Sequence, residues 1–401
     1  MSQKNRIFVA TTSLILLSSS GVTLADEAAA PAVATPPPVP VALGTPGMSG
    51  PLAANTMPAK FDAGPLGNVY VAGVLSGLYQ YQNNVVSGDL AHQADLSNGQ
   101  VFVQKTDGLV QFFAQAGAYS IPDIGLPYIA SGTATNSLYG PFSQVFIKLV
   151  PNDRWSIEAG KLPTLIGAEY TFSFENTNIE RGLLWNQENA VNRGVQLNYS
   201  SGPIAASVSW NDGMYSNKYS WAWASLAYTF KSSDTLSVIA GGNTRRTGVN
   251  TAATPLLLNN EQLYNVIYTH KTGPWTLQGY LQYTKVPASV VIGTTKSSDT
   301  KGAAFYATYA VPSVAGLSLP VRVEYIDSSG SIADGSPSLL YGPGSKAWSV
   351  TVTPTYQKGI FFARAEASYV SATSTTPGFV FGPNGTDTSQ LRGLLEVGVL
   401  F

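Results

Sequence analysis

Leu395-Glu396-Val397-Gly398-Val399-Leu400-Phe401 closes the sequence, and its positions 395, 397, 399 and 401 are all apolar. In a two-residue-period strand, one face would therefore stay apolar up to the last residue. A charged carboxyl terminus requires water, whereas such a face requires apolar surroundings. A transmembrane β-barrel meets both requirements, because one strand face contacts lipid and aromatic residues lie at the membrane interface. The segment therefore predicts a membrane-spanning β-strand.

The composition agrees with a lipid-facing barrel. Charged residues make up 11% of the 401 residues, against about 25% in ordinary globular proteins, while the chain carries 39 Gly, 21 Tyr, 16 Phe and 7 Trp. A net charge of −1 provides no basic surface that would hold nucleic acid. The sequence has no cysteine, which excludes disulfides, zinc-thiolate sites and thiol catalysis.

The beginning of the sequence predicts export. Lys4 and Arg6 precede the apolar residues 7–17, and small residues before Asp26 suit cleavage by a signal peptidase. We therefore assign residues 1–25 to a signal peptide. Its apolar core is too short to span a bilayer, and no later run of about 18 apolar residues follows, so no transmembrane helix is predicted.

The rest of the chain predicts an Ala/Pro-rich periplasmic segment, residues 26–60, followed by an all-β, antiparallel transmembrane β-barrel, residues 61–401. We expect about sixteen strands, with fourteen or eighteen as the neighbouring alternatives. The predicted strands span residues 68–82, 99–105, 109–119, 142–150, 154–162, 193–200, 204–212, 218–230, 235–245, 262–271, 275–286, 301–311, 317–327, 346–357, 360–371 and 390–401. Short turns and long loops alternate between them, which is typical of outer-membrane barrels with their turns in the periplasm.

Parity along each strand separates a lipid-facing from a lumen-facing set. Trp275 and Leu281 share the apolar phase of one strand, whereas Thr276 and Gln282 take its polar phase. Charged side chains on the polar phase of their strands are Lys148, Glu158, Arg322, Glu324, Arg364, Glu366 and Glu396. A Lys or Arg facing lipid at the midplane costs about 2–4 kcal/mol, but a water-filled lumen tolerates it. The five on strands 13, 15 and 16, from Arg322 to Glu396, would form a mixed-charge patch that could select solutes or act as a salt-bridge ladder that stiffens the wall, and both interpretations stay open.

The longest strand-free stretch, residues 163–192, contains Glu169, Glu175, Glu180 and Arg181. A loop of this length is uncommon in a compact domain unless it is functional. By its order it corresponds to the third long loop of general porins, which folds into the lumen. We expect its charges to face the wall and to complete a pore-lining, solute-selecting set. The alternative is an extracellular cap over the barrel mouth.

Trp221 and Trp223 share one phase of their strand. If they point inward, their indole faces could stack on sugars. The phase of this strand is weakly defined, so an interfacial girdle pair is the preferred interpretation.

Catalysis finds little support in the sequence. His92 and His270 are its only histidines, and no spacing places a serine or an acid beside either of them. No phosphate-binding glycine loop, calcium repeat or clustered metal ligand is present, so no cofactor and no metal are predicted. Outer-membrane enzymes do use histidine with serine or acidic partners, so an enzyme remains the alternative from a different class.

Four motifs carry a family resemblance: Val103-Gln104-Lys105-Thr106-Asp107-Gly108, Phe113-Ala114-Gln115-Ala116-Gly117-Ala118-Tyr119, Ala159-Gly160-Lys161-Leu162-Pro163-Thr164 and Asn178-Ile179-Glu180-Arg181-Gly182-Leu183-Leu184-Trp185-Asn186-Gln187. With them, the chain from about Phe61 to Phe401 resembles the putative β-barrel porin-2, OmpL-like family of bacterial outer-membrane proteins. The resemblance implies the bacterial outer membrane and general diffusion, and it implies no solute and no site residues.

The sequence thus predicts an outer-membrane porin that passes small hydrophilic solutes passively, with sugars as one candidate class. The expected partners are outer-membrane lipid, the solutes and, by analogy with general porins, two further copies in a homotrimer. An outer-membrane enzyme and a closed barrel that serves as an adhesin or scaffold are the alternatives.

Overall fold

The computed structural model describes residue 45, residues 47–231 and residues 233–401. The predicted signal peptide, residues 1–25, and the first part of the Ala/Pro-rich segment, residues 26–44, lie outside the described residues. Within the described part, the chain is dominated by one antiparallel sheet.

The strands of the described part are β1 (Ala59–Asp62), β2 (Asn68–Gln82), β3 (His92–Lys105), β4 (Val110–Tyr119), β5 (Phe142–Asn152), β6 (Trp155–Pro163), β7 (Val191–Ser201), β8 (Ile204–Asn211), β9 (Trp221–Phe230), β10 (Asp234–Asn243), β11 (Gln262–Thr272), β12 (Trp275–Val286), β13 (Ser298–Ala310), β14 (Leu317–Ser328), β15 (Lys346–Val352), β16 (Thr355–Lys358), β17 (Phe361–Thr373) and β18 (Ser389–Leu400). The helical elements there are short: α1 (Ser131–Ser137) and the 3₁₀ turns Gly64–Leu66, Ser173–Glu175, Trp185–Gln187, Leu258–Asn260 and Val290–Ile292.

The sheet closes on itself, because β2 pairs with β3 along one edge and with β18 along the other. β15 and β16 both pair with β14 and β17, and they are two parts of one barrel strand interrupted at Thr353 and Pro354. Proline has no N–H to donate to a ladder, which explains the interruption. With β15 and β16 counted together and the short β1 set aside, the described residues form a closed sixteen-stranded barrel, as the sequence predicts.

Strand β3 differs most from its predicted bounds, since it begins at His92 rather than at residue 99. The register between β2 and β3 shifts next to Ser76, and Ser97 is the additional residue on β3. A β-bulge of this kind disrupts the alternation of faces, and Ser97 and Asn98 are indeed both buried. The two-residue period that reveals a strand in the sequence is therefore lost there.

The last residue closes the barrel at the end that carries the short turns. The N–H of Phe401 donates to the Gly73 carbonyl at 3.0 Å, and the N–H of Gly73 donates to the Phe401 carbonyl at 2.7 Å. The aromatic ring covers Gly73, where a Cβ would lie 2.5 Å from Phe401 Cζ. The absence of a side chain at position 73 thus allows the terminal ring to pack onto the first barrel strand.

The outward face of the barrel is apolar on the phase that the sequence predicts. Exposed side chains on this face include Val195, Val208, Leu226, Tyr264, Leu281, Phe305, Val323, Trp348, Leu395 and Val397. In the part of the chain that the structure describes, no helix is both long and apolar enough to cross a bilayer.

Candidate pore and constriction

The connection between β6 and β7, residues 164–190 and hereafter loop L3, folds into the barrel. The backbone N–H groups of Ile179 and Glu180 donate to the Glu366 carboxylate at 2.6 and 3.0 Å. The Thr353 hydroxyl donates to the same carboxylate at 2.6 Å. Because Glu366 lies on the lumen-facing phase of β17, L3 occupies the lumen rather than forming a cap outside it.

Arg322 on β14 is the centre of one contact between the wall and L3. Its guanidinium lies 2.5 Å from Glu169 Oε1 and donates to the Glu180 carbonyl at 2.7 Å. On its own strand, Glu324 lies 3.1 Å from Arg322 Nε. Gly182 fits between these groups: its N–H donates to Glu169 at 2.8 Å, and a Cβ there would lie 2.1 Å from Glu324 Oε1. One arginine therefore neutralises a carboxylate of the wall and a carboxylate of the loop.

Arg364 and Glu396 form a second contact with L3. Arg364 Nη1 lies 3.4 Å from Glu396 Oε2 and donates to the Ser173 carbonyl at 2.9 Å. The Ser173 hydroxyl donates to Glu396 Oε1 at 2.9 Å. Glu396, the single charge of the last seven residues, thus faces the lumen and holds L3.

Two residues absent from the sequence-based set strengthen this contact. Arg392 on β18 donates to Glu180 Oε1 at 2.7 Å and to the Asp123 carbonyl at 2.6 Å. Asp123, in the loop after β4, forms a 2.8 Å ion pair with Arg181 of L3. Arg392 shares the parity of Glu396, so strand phase alone could have identified it. No strand pattern reaches Asp123, because it lies in a loop.

Lys148 and Glu158 are predicted pore-lining residues that lie on the opposite wall. They are register partners on β5 and β6, and their Nζ and Oε1 atoms are 3.0 Å apart. All eleven predicted residues are buried in the structure. The structure thus places them in contacts between protein groups, and their part in solute selection stays a prediction.

Glu175 contacts the described end of the Ala/Pro-rich segment, hereafter the N-terminal segment, rather than a wall arginine. Its carboxylate accepts the Thr45 hydroxyl at 2.5 Å, and its carbonyl accepts the N–H of Ser49 at 2.8 Å. Nearer the turn between β16 and β17, Ala53 and Gln357 exchange two hydrogen bonds of 2.8 and 2.9 Å. The described end of the Ala/Pro-rich segment therefore runs inside the barrel up to L3, whereas the sequence predicts an extended segment below it. Its composition prevents a core of its own but allows packing against an existing one.

Burial changes the acidity of two L3 carboxyl groups. Desolvation raises the pKa of Glu175 to about 7, although the hydrogen bonds from Thr45 and from the Phe172 N–H lower it. Desolvation raises the pKa of Glu188 to about 8, opposed by a hydrogen bond from the Tyr280 hydroxyl at 2.5 Å. Neither group has a cation within ion-pair distance among the described residues.

Apolar residues of L3 belong to a buried cluster that extends along the wall from β9 to β17. Leu183 and Leu184 are fully buried in a cluster that includes Trp221 and Trp223 of β9. Trp221 Nε1 donates to the Asn259 carbonyl at 2.8 Å. The two indoles are 0% and 3% exposed, so the interfacial girdle preferred from the sequence is wrong: β9 turns both indoles into the lumen. Their burial leaves no open indole face for a sugar.

A cavity of about 120 Å³ remains beside β6–β12. Tyr170 of L3 and Ser49 of the N-terminal segment border it. Hydroxyl and amide side chains that line it are Ser156, Asn198, Ser225, Thr229, Thr235, Ser237 and Gln278. Its walls therefore offer hydrogen-bonding groups to a solute.

The histidines do not form a hydrolytic arrangement. His270 Nδ1 lies 2.7 Å from Asp234 Oδ1, a partner that sequence spacing did not reveal. The Ser233 hydroxyl donates to Asp234 at 2.5 Å and not to the imidazole, whereas a catalytic serine must contact its histidine base. His92 contacts the Tyr79 hydroxyl at 2.8 Å. Among the described residues, no three His, Cys, Asp or Glu side chains group as metal ligands.

Comparison with known families decides the class of this barrel. The sequence model described as putative beta-barrel porin-2, OmpL-like, matches residues 68–401, which begin at the first residue of β2. The chain belongs to the putative β-barrel porin-2 family. It is a porin of the bacterial outer membrane, so the apolar outer face contacts lipid and the lumen is the route for solutes.

Solved structures share the fold of this porin-2 protein. An anion-selective porin from Comamonas acidovorans is 11% identical with a TM-score of 0.57, and the match covers 83% of this chain and 99% of that one. OmpT of Vibrio cholerae is 13% identical with a TM-score of 0.56 and coverages of 86% and 100%. The channel DcaP of Acinetobacter baumannii is 10% identical with a TM-score of 0.55 and coverages of 83% and 97%. A comparison with curated proteins finds no match.

Proposed function

We propose that this porin passes small neutral hydrophilic solutes, sugars among them, through a lumen that L3 narrows from one side. The observation that carries the proposal is the difference between the two walls. Buried charges attach L3 to β14, β17 and β18, while hydroxyl and amide groups line the cavity beside β6–β12. Such groups exchange hydrogen bonds with a hydroxylated solute, and the charged side chains Lys148, Asp153 and Arg154 are confined to the β5–β6 side of the same lining.

The pairing of the buried charges supports a weak ion selectivity. Arg322 is shared by two carboxylates, and Arg392 neutralises Glu180. A field across a pore requires unpaired charges that face water. We therefore propose that these residues fix the position of L3 and affect solute passage through the size of the opening.

Tryptophan substitution at two neighbouring positions of β10 tests the route. Ser237 lines the cavity, whereas Val238 points outward and is 47% exposed. We expect Ser237→Trp to lower single-channel conductance and the rate of liposome swelling in arabinose severalfold, because the indole fills the cavity. Val238→Trp is the matched control and should leave both unchanged. Equal conductance of the two variants would refute this route, and a wild-type protein without an ohmic channel would refute the proposed solute passage.

We further propose that residues 47–57 obstruct the lumen at the end with the short turns. Leu52 is 4% exposed and belongs to an apolar cluster with Phe102 and Phe174. At Gly50 a Cβ would lie 2.2 Å from the Asn176 carbonyl of L3. Such close packing supports a segment that occupies space which a solute would otherwise cross.

The proposed function includes no catalytic step. The bridging position of Asp234 between Ser233 and His270 supports this, because the serine is not activated by the imidazole. Purified protein should show no lipolytic or proteolytic activity. An activity that disappears in His270→Ala, with the conductance retained, would contradict the proposal.

A homotrimer remains a proposal supported by the resemblance to general porins. Native mass spectrometry of the detergent-solubilised protein tests it, and a monomer as the main species would refute it.

A further inference from the structure

Two cations lie next to each other on the lipid-facing surface of the barrel. Lys161 on β6 and Arg193 on β7 are register partners and take the outward phase of their strands. Both lie close to L3, at the end of the barrel that carries the long loops and therefore on its extracellular side. The cost of a cation falls to about 0–1 kcal/mol near the membrane interface, so this depth permits the pair.

A groove of about 790 Å³ runs over this part of the outer surface. Lys161 and Arg193 line it together with Phe142, Val195 and Trp210. These three apolar side chains are 57%, 52% and 66% exposed. The groove thus combines a cationic end with an apolar floor that continues into the lipid-facing surface.

The charge balance of the groove is positive. Arg193 forms a 2.8 Å ion pair with Asp212, whose side chain is fully buried. Lys161 Nζ donates to the Phe142 carbonyl at 2.7 Å and lies 5.1 Å from the centre of the Tyr215 ring. Among the described residues, no carboxylate lies within ion-pair distance of Lys161. One positive charge therefore remains for an anionic ligand.

The outward charges on another part of the barrel are arranged differently. Lys346 on β15 and Asp327 on β14 form a 3.0 Å ion pair, and Lys301 on β13 is a register partner of Asp327. Each of these two cations therefore has a carboxylate as its register partner on β14. In the groove beside β5–β8 the register partner of Lys161 on β7 is instead a second cation, Arg193, which indicates a ligand of negative charge.

We propose that this groove binds a phosphorylated lipid of the outer leaflet, with its headgroup phosphate on Lys161 and Arg193 and an acyl chain along Val195 and Trp210. A phosphate accepts charge-assisted hydrogen bonds from both Lys and Arg. The exposed apolar side chains next to the cations place the acyl chain in the bilayer, which a soluble phosphate compound would not require. The proposal is independent of the solute route.

Native mass spectrometry of the purified full-length barrel with diphosphoryl lipid A tests the site. We expect the wild type to retain the lipid and Lys161→Gln to bind it about tenfold more weakly, because one charge-assisted contact is lost. Lys161→Arg should restore binding. Lys301→Gln, at an outward cation whose register partner is Asp327, is the matched control and should bind like the wild type.

Three further outcomes would overturn the proposal. Equal retention of lipid A by Lys161→Gln and the wild type would show that the cations do not bind the lipid. Competition by inorganic phosphate at equal concentration would indicate a general anion site. Because the sequence has no cysteine, Trp210→Cys introduces a single thiol, and its rapid oxidation to a disulfide-linked dimer in membranes would show that the groove contacts a second copy instead.

Discussion

The two walls of the lumen are built from strands with the same alternation of lipid-facing and lumen-facing residues, but they have different roles. The wall of β14, β17 and β18 carries Arg322, Arg364 and Arg392, each 2% exposed or less and bonded to L3. The wall of β7–β12 carries short hydroxyl side chains such as Ser237 beside an open cavity. The comparison shows that a lumen-facing charge in a barrel can hold a loop in place rather than face the solute.

Physical chemistry explains why the charged wall is the attached one. A buried guanidinium is stable only when carboxylates and carbonyl oxygens surround it, and L3 supplies both to Arg322. Hydroxyl side chains form their hydrogen bonds with water at little cost in free energy, so no loop has to cover them. On the side of the lumen that stays open, the buried Lys148 is paired within the wall, with Glu158, and needs no partner from L3.

Removing the Arg322 cation should have the largest effect on the attachment of L3 to the wall. Arg322→Met leaves Glu169 and Glu324 without their shared partner, and loss of one member of a buried ion pair costs about 3–5 kcal/mol. We expect a lower unfolding temperature in differential scanning calorimetry and a larger, noisier conductance as L3 detaches.

The control for this prediction is Lys231→Met, at an exposed turn outside the lining of the cavity, which should change neither property. Combining Arg322→Met with Glu169→Gln and Glu324→Gln should recover part of the stability, because no unpaired charge remains buried. An Arg322→Met protein as stable as the wild type would show that the charges on this wall do not hold L3.

Deleting the N-terminal segment should have the next largest effect, and it acts on the open side. A chain without residues 26–57 loses the contacts that Ser49 and Leu52 make in the lumen. We expect conductance to rise on the order of twofold, since a polypeptide strand leaves the opening. A chain without residues 26–44 keeps those contacts and is the control. If both deletions conduct like the wild type, the segment does not obstruct the lumen.

Strand parity explains how much of this arrangement the sequence predicts. Sixteen barrel strands follow from alternation and turn residues, and the lumen-facing phase of Glu366 and Glu396 follows from the same period. The break at Pro354 is also readable, because proline cannot donate to the ladder. These features depend on residues close together in the chain.

Contacts between distant segments could not be predicted from the sequence, because the residues that form them lie far apart in the chain. The pairing of Thr45 with Glu175 spans 130 residues, and no periodic pattern connects them. Asp123 lies in a loop and pairs with Arg181 of another loop. The inward turn of Trp221 was missed because alternating alanine and tryptophan residues leave the phase of β9 weakly defined. Loop positions follow from complementary surfaces in three dimensions, which one sequence does not display.

A change in pH should alter the strength of the contact between L3 and the N-terminal segment. Burial raises the pKa of Glu175 from 4.5 to about 7, so the docked state holds a proton that the released state loses between these values. The equilibrium constant for docking is therefore largest at low pH. It falls by up to about tenfold per pH unit as the pH rises, and it reaches its minimum above about pH 7. We expect lower conductance at pH 5 than at pH 8.

Glu175→Gln is the variant that separates this effect from general acid titration. It keeps an uncharged side chain at every pH, so its conductance at pH 8 should match its conductance at pH 5. A wild-type conductance that rises on acidification would contradict the sign of the prediction, whereas an unchanged pH response in Glu175→Gln would assign the response to another group.

The smallest expected effect comes from the one predicted ion pair that borders the open cavity. Lys148→Gln leaves Glu158 as an unpaired carboxylate, and the reversal potential in a salt gradient should shift slightly toward cation selectivity. Combining Lys148→Gln with Glu158→Gln should return the potential to the wild-type value. The shift is small because water in the cavity screens a single charge over about 8–10 Å. If Lys148→Gln instead changed selectivity strongly, the hydroxyl-lined wall would have to be counted as the charge-selective one, and the contrast between the two walls would be reversed.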